Sequence, residues 1–180
     1  MMFETHSLGK VKNKIINTEP IFRNSDLVNI SIRAVKSGDI NNSHEFTNGL
    51  SSYEFCSLCR FAGLSTNLNL ISFKSDYQSS AISSLVSEGI WYAIDGMDSV
   101  VEENIDVNSD NYIFYNVSVD NFDLKFVKSL LSNRWWVCLE NINLVQMEKT
   151  YIPCVEDDYL LSKNSVLSDR ILTRIKNKIT

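Results

Sequence analysis

The sequence predicts an α/β fold: a partial parallel sheet flanked by helices over residues 1–100, with a C-terminal β/α extension over residues 101–180 packed on that core. Two observations carry the first part. The apolar, strand-like runs DLVNISIRAV and LNLISFKS are each followed by a stretch with helical spacing, and strand–helix–strand–helix order implies parallel pairing, because a parallel connection needs a crossover. A third observation carries the second part. After Met97 an acidic linker, SVVEENIDVNSDN, gives way to short strand-like segments at YIFYNVSV, FVKSLL, RWWVCLE and YIPCV, and then to two helical segments, EDDYLLSK and SDRILTRIKNK.

Each element has a local reason. The first 25 residues are polar and mixed, and read as a short helix or strand with a connecting loop ending in an Asn-Ser-Asp turn. Residues 27–35 form the first strand, with Leu27, Val28, Ile30, Ile32, Ala34 and Val35 apolar and Ser31 and Arg33 as polar intruders. SGDINNSHEFTNG is a long loop rich in turn formers. LSSYEFCSLCRFAG is a helix, with Ser51 or Ser52 as N-cap, Glu54 in the first turn and Gly63 at the C-terminus. The second strand covers residues 68–75. The long helix that follows places Ala81, Ile82, Leu85, Val86, Ile90, Trp91 and Ile94 at the spacing of an element packed on a sheet, with Gly96 as its stop. In the last helix Ser168 caps, Asp169 lies near the N-terminus and Lys176 and Lys178 near the C-terminus, each charge suited to its end of the helix dipole.

Bulk composition narrows the function classes. A chain of 180 residues with 44% hydrophobic content is long and apolar enough to bury one core of ordinary size. The formal charge of -5, with no run of Lys and Arg, gives no electrostatic footprint for nucleic acid or anionic lipid. Apolar stretches fall short of the ~20 residues a membrane span needs, and the N-terminal residues carry no signal-peptide core, so a cytoplasmic location is expected. The four cysteines are then expected as free thiols. Cys56 and Cys59 form a CxxC inside an apolar helical pattern, which favours core packing over redox or zinc chemistry; zinc would need two more ligands, and the histidines are His6 and His44 alone.

Chemistry-bearing motifs are sparse. No GxGxxG, Walker-type loop, HExxH or GxSxG elbow is present, and the acidic clusters Glu102–Glu103 and Glu156–Asp158 read as solvated turns or helix-start charges. His44, beside Glu45, reads as a loop histidine sooner than a metal ligand. Trp135 and Trp136 are adjacent in a strand and so point to opposite faces, one entering the core and the other capping it or meeting a partner.

PIFRNSDLVNISIRAVKSGD, NGLSSYEFCSLCRFAGLS and LVSEGIWYAIDGM together resemble the C-terminal half of the ureohydrolase superfamily of arginases, agmatinases and formimidoylglutamases. The later stretches SNRWWVCLE, YIPCVEDDYL and SDR resemble the C-terminal extension of a divergent bacterial subgroup. The resemblance implies a three-layer α/β fold in which two manganese ions generate a hydroxide that attacks a guanidine or formimino carbon. It also implies where the ligands should be. Nothing here matches the family's Asp-x-His-x-Asp strand end, Ser31 stands where the metal-bridging aspartate belongs, and Arg33 stands where many members have a second one. Lys74, Ser75 and Asp76 occupy the segment that should supply a substrate-side glutamate, with Asp76 the remaining carboxylate.

Those substitutions imply a non-catalytic protein with no catalytic residue and no manganese, acting in a structural or interaction role with a protein partner or a second copy of itself. The alternative is one part of a split manganese-dependent amidine or guanidine hydrolase, completed by another chain.

Overall fold

The computed structural model describes residues 3–41, 46–139 and 151–179. The chain divides into two compact units, one spanning His6–Val100 and the other Val101–Thr180 together with Met1–Thr5. Both helices and strands are present, so the α/β class holds, with a two-stranded parallel sheet in the first unit and a four-stranded antiparallel sheet in the second.

In the first unit, strand β1 (Leu27–Ser31) pairs in parallel with β2 (Leu70–Lys74), in register from Leu27 opposite Leu70 to Ser31 opposite Lys74. β1 is shorter than the apolar run suggests. After Ser31 the backbone turns into a 3-10 helix, Ile32–Ala34, which buries Ile32 and turns Arg33 outward. Three short helices, α1 (Leu8–Asn13), α2 (Glu19–Phe22) and α3 (Ser37–Ile40), flank these strands in sequence. Buried Glu19 at the start of α2 and Arg23 just past its end form an ion pair one helical turn apart, so neither charge is left uncompensated.

Two longer helices dominate. α4 (Ser52–Gly63) begins with a capping box: Ser51 Oγ accepts from Glu54 N–H at 3.2 Å, and Glu54 Oε2 accepts from Ser51 N–H at 2.7 Å. α5 (Ser80–Asp98) starts at Ser79, whose hydroxyl accepts from Ile82 N–H, and runs through Gly96 instead of stopping there. Gly96 has another role. A Cβ at Gly96 would strike the carbonyl oxygen of Arg60, and one at Gly63 would strike the carbonyl of Ala93. Gly89 faces Phe55 in the same way, with a Cβ there only 2.7 Å from the ring. The two helices therefore meet backbone to backbone at Gly63, Ala93 and Gly96, and the Phe55 ring packs on the bare backbone of Gly89. Above this contact Phe55, Cys59, Ile82 and Leu85 join Val28, Ile30, Ile32, Val35 and Ile40 in one core.

The second unit is an antiparallel meander, β3 (Tyr112–Val119), β4 (Phe122–Ser129), β5 (Trp135–Leu139) and β6 (Ile152–Cys154), in that spatial order. Asp120 (φ 52°) and Asn133 (φ 58°) supply the left-handed turn positions between β3 and β4 and between β4 and β5, which Asp and Asn tolerate better than other non-glycine residues. Helices α6 (Glu156–Lys163) and α7 (Asp169–Ile179) complete it. Odd-numbered positions of β5 join Phe126, Cys154, Ile171 and Ile175 in a core on one face. Tyr159 of α6 inserts there, 5.2 Å from Trp135 and 4.9 Å from Tyr115 between ring centroids. The other face is covered at Val127 and Trp136 by Ile105, Phe114 and Tyr151.

The acidic clusters hold structure together. Glu103 accepts hydrogen bonds from Tyr112 Oη at 2.8 Å and from the Ser132 hydroxyl; burial and this contact push the Tyr112 phenol up to about 12. Asp158 is buried and accepts from Val155 N–H and from the Arg170 guanidinium, which also donates to Glu4 at 2.8 Å. Burial alone would lower the Arg170 pKa; the two carboxylates outweigh it and raise it.

The helix contact gives a direct expectation. Gly96→Ala should cost about 1–3 kcal/mol in urea unfolding, because backbone must move to admit one methyl group. Gly38→Ala, where a Cβ meets nothing within 4 Å, should be neutral or stabilising by up to about 1 kcal/mol.

Candidate functional sites

The carboxyl ends of parallel strands are where open α/β sheets place ligands. Here that end carries Ser31, Arg33, Lys74 and Asp76. Ser31 closes β1 opposite Lys74 in register. Arg33 Nη1 lies 3.5 Å from Asp76 Oδ2, with both side chains about half exposed. The sequence-predicted positions Ser31, Arg33 and Asp76 are thus neighbours at one strand end, and with Lys74 they bring two cations and one carboxylate together.

Asp39 is not part of this cluster. Its Oδ2 accepts from Ser52 N–H at 2.8 Å and from Ser52 Oγ at 3.0 Å, and its Oδ1 lies 3.2 Å from Lys36 Nζ. The Ser52 N–H holds the carboxyl below its ordinary range, with Lys36 adding to the effect. It serves as a second cap on α4. His44 and Glu45 lie outside the described residues, and His6 is half-buried in the first unit. Among the described residues no group of three or more His, Cys, Asp or Glu side chains is placed to share a metal ion.

Cys56 and Cys59 are buried on the α5-facing side of α4. Burial raises both thiols, Cys59 to about 12, so neither is a ready nucleophile at neutral pH. Trp135 and Trp136 do point to opposite faces, but both are buried, at 5% and 7% exposure. The interface expected at one of them requires an outward ring, and the covering of both sheet faces leaves none.

The exposed tryptophan is Trp91, at 71%. It lies on α5 beside an open apolar groove of about 310 Å³ lined by Leu68, Leu70, Ile71, Phe73, Ile90, Ile94 and Met97 with Asn69 and Ala93. Ile90, Ile94 and Met97 are each more than 40% exposed, and so is Leu70 at the start of β2. Sequence reading placed Ile90, Trp91 and Ile94 against the sheet. Ile90 and Ile94 line the groove beside β2 and stay partly exposed, and Trp91 faces outward, because α5 spends its closest contact face on Gly89, Ala93 and Gly96 and residues one position further on lie about 100° around the helix. The signal was present: small residues at 89, 93 and 96 repeat at helical spacing, as a close helix contact requires.

Along the groove, β2 pairs with β1 on one side and has no strand on its other edge among the described residues. Its residues are half-buried or exposed throughout. Parallel strands ordinarily sit deep in a sheet covered on both faces, so this is an unusual place for one to stop. No helix among the described residues is long and apolar enough to cross a membrane. No protein-family model, curated protein or solved structure matches the chain.

Asp39 gives the pH test. Its folded pKa lies below its unfolded value, so its contribution is present above the ordinary carboxylate range and is lost as pH falls through the folded value. Asp39→Ala should lower stability at neutral pH by about 0.5–2 kcal/mol, the cost of a lost cap, with a smaller deficit at pH 3, measured by urea unfolding. Arg33→Ala, which removes an exposed pair, should cost less than about 1 kcal/mol.

Proposed function

We propose that this protein is a non-catalytic relative of the ureohydrolases that acts through protein interaction. The observation that carries this reading is the apolar groove of β2 and α5 beside an open strand edge. A contiguous apolar surface and an unpaired edge both favour association.

The side chains at the end of β1 support the non-catalytic half of the reading. The manganese pair implied by the resemblance does not fit this donor set. Manganese and similar hard divalent cations take carboxylate oxygens and imidazole nitrogens; a neutral serine hydroxyl at Ser31 is a poor substitute. Arg33 and Lys74 place positive charge at the same strand end, and the Asp76 carboxylate is engaged by Arg33. No hydrolytic step can be built on these residues.

The open β2 edge also bears on a second reading, in which another chain completes the sheet and supplies the ligands of a split amidine hydrolase. Calorimetric titration with manganese separates the two. The non-catalytic reading expects no binding heat from the chain alone or from any complex it forms, and tight binding would overturn it.

A further inference from the structure

The outer surface of α5 carries charge of one sign beside its apolar ridge. We propose that this surface docks a basic amphipathic helix of a partner protein, its apolar side entering the groove and its Lys or Arg side chains lying along the acidic border. This rests on the interaction reading above and gives the partner its chemistry.

Helix α5 contains three acidic residues, Glu88, Asp95 and Asp98, and no basic one. All of them are exposed. At about 100° per residue, and with Gly89, Ala93 and Gly96 turned to α4, Ile90, Ile94 and Met97 form one flank of the helix and Glu88 and Asp95 the other. Trp91 and Asp98 lie between the flanks, on the side away from α4. The exposed indole of Trp91 thus separates an apolar flank from an acidic one, with Glu88 and Ile94 each about one helical turn away.

Charge selects the partner. Arg60 Nε holds the Asp95 carboxylate at 2.6 Å, whereas Glu88 and Asp98 form no ion pair among the described residues. The carboxyl end of the helix dipole adds negative potential around Asp98, and no basic side chain in the last turn offsets it. An acidic partner would be repelled here, and a purely apolar one would leave both carboxylates unmatched at its border. Lys or Arg matches them, and Trp91 offers such a cation an aromatic contact. The spacing suits a helix. Ile90, Ile94 and Met97 recur at i, i+4 and i+7, the ridge against which a second helix packs, and Glu88 and Asp98 lie about 15 Å apart along the axis, within reach of three turns of a partner lying alongside.

A synthetic amphipathic helix of Leu and Lys, titrated into the full chain, tests the proposal through tryptophan emission and the anisotropy of labelled peptide. Trp135 and Trp136 are buried, so a blue shift on binding reports Trp91. Saturable binding with that shift is expected. It should weaken about tenfold or more on Ile94→Asp, and likewise when Glu88→Lys is combined with Asp98→Lys, with the circular dichroism of the fold retained. Asp110→Lys combined with Glu156→Lys alters exposed carboxylates of the second unit and changes net charge equally, yet should weaken binding no more than about twofold. Equal loss in the two charge-reversed pairs would reveal general attraction to an acidic chain and overturn the proposal, as would unmoved emission or binding indifferent to Ile94→Asp. If a Glu-for-Lys version of the peptide binds as tightly and is lost on Ile94→Asp, or the chain forms a dimer lost on Ile94→Asp and ignores the Lys peptide, the basic partner falls and the interaction reading stands. If neither peptide binds and the chain sediments as a monomer, both fall.

Discussion

The first unit depends on one contact, the approach of the α4 and α5 backbones where side chains would not fit. Gly63 and Gly96 lie against carbonyl oxygens of the opposing helix, and Gly89 lies against the Phe55 ring. Close approach lets Phe55 and Cys59 fill the space between the helices and the strands with no exposure at all. It also fixes the rotation of α5. With Gly89, Ala93 and Gly96 turned to α4, the residues one step on, Ile90, Ile94 and Met97, are carried outward over the edge of β2. The apolar groove is a consequence of the helix contact.

The second unit handles the same problem differently. Its antiparallel sheet closes both faces with its own side chains, using Tyr159 against Trp135 on one side and Ile105 and Tyr151 against Trp136 on the other. A few of its charges are turned inward. Arg170 is shared by Asp158 and Glu4, and Glu103 fastens the linker to Tyr112 and Ser132. The open apolar groove belongs to the parallel unit, where the two-stranded sheet has no further strand among the described residues.

Much of the fold was legible because its local signals are strong. The Ser51–Glu54 capping box, the strand–helix alternation and the short strands after residue 110 all correspond to elements of the structure. What failed to read was set by tertiary geometry. Gly96 reads as a helix stop, but a glycine at a helix contact gives the same letter. Trp91 reads as sheet-facing with Ile90 and Ile94, yet those two line a groove beside β2 and Trp91 is exposed, since apolar periodicity reports amphipathicity without saying how closely each stripe is covered. Trp135 and Trp136 show the reverse case, where alternation gave the directions correctly but could not reveal that both faces are covered. At the strand ends, sequence marked Ser31, Arg33 and Asp76, and only coordinates could choose Asp76 over Asp39 as the partner of Arg33.

Hydrogen–deuterium exchange examines the open edge at the level of individual segments. The amides of Leu70–Lys74 that face away from β1 should exchange much faster than those of β4, which is paired on both sides. Protection throughout Leu70–Lys74 equal to that of β4 would contradict an open edge.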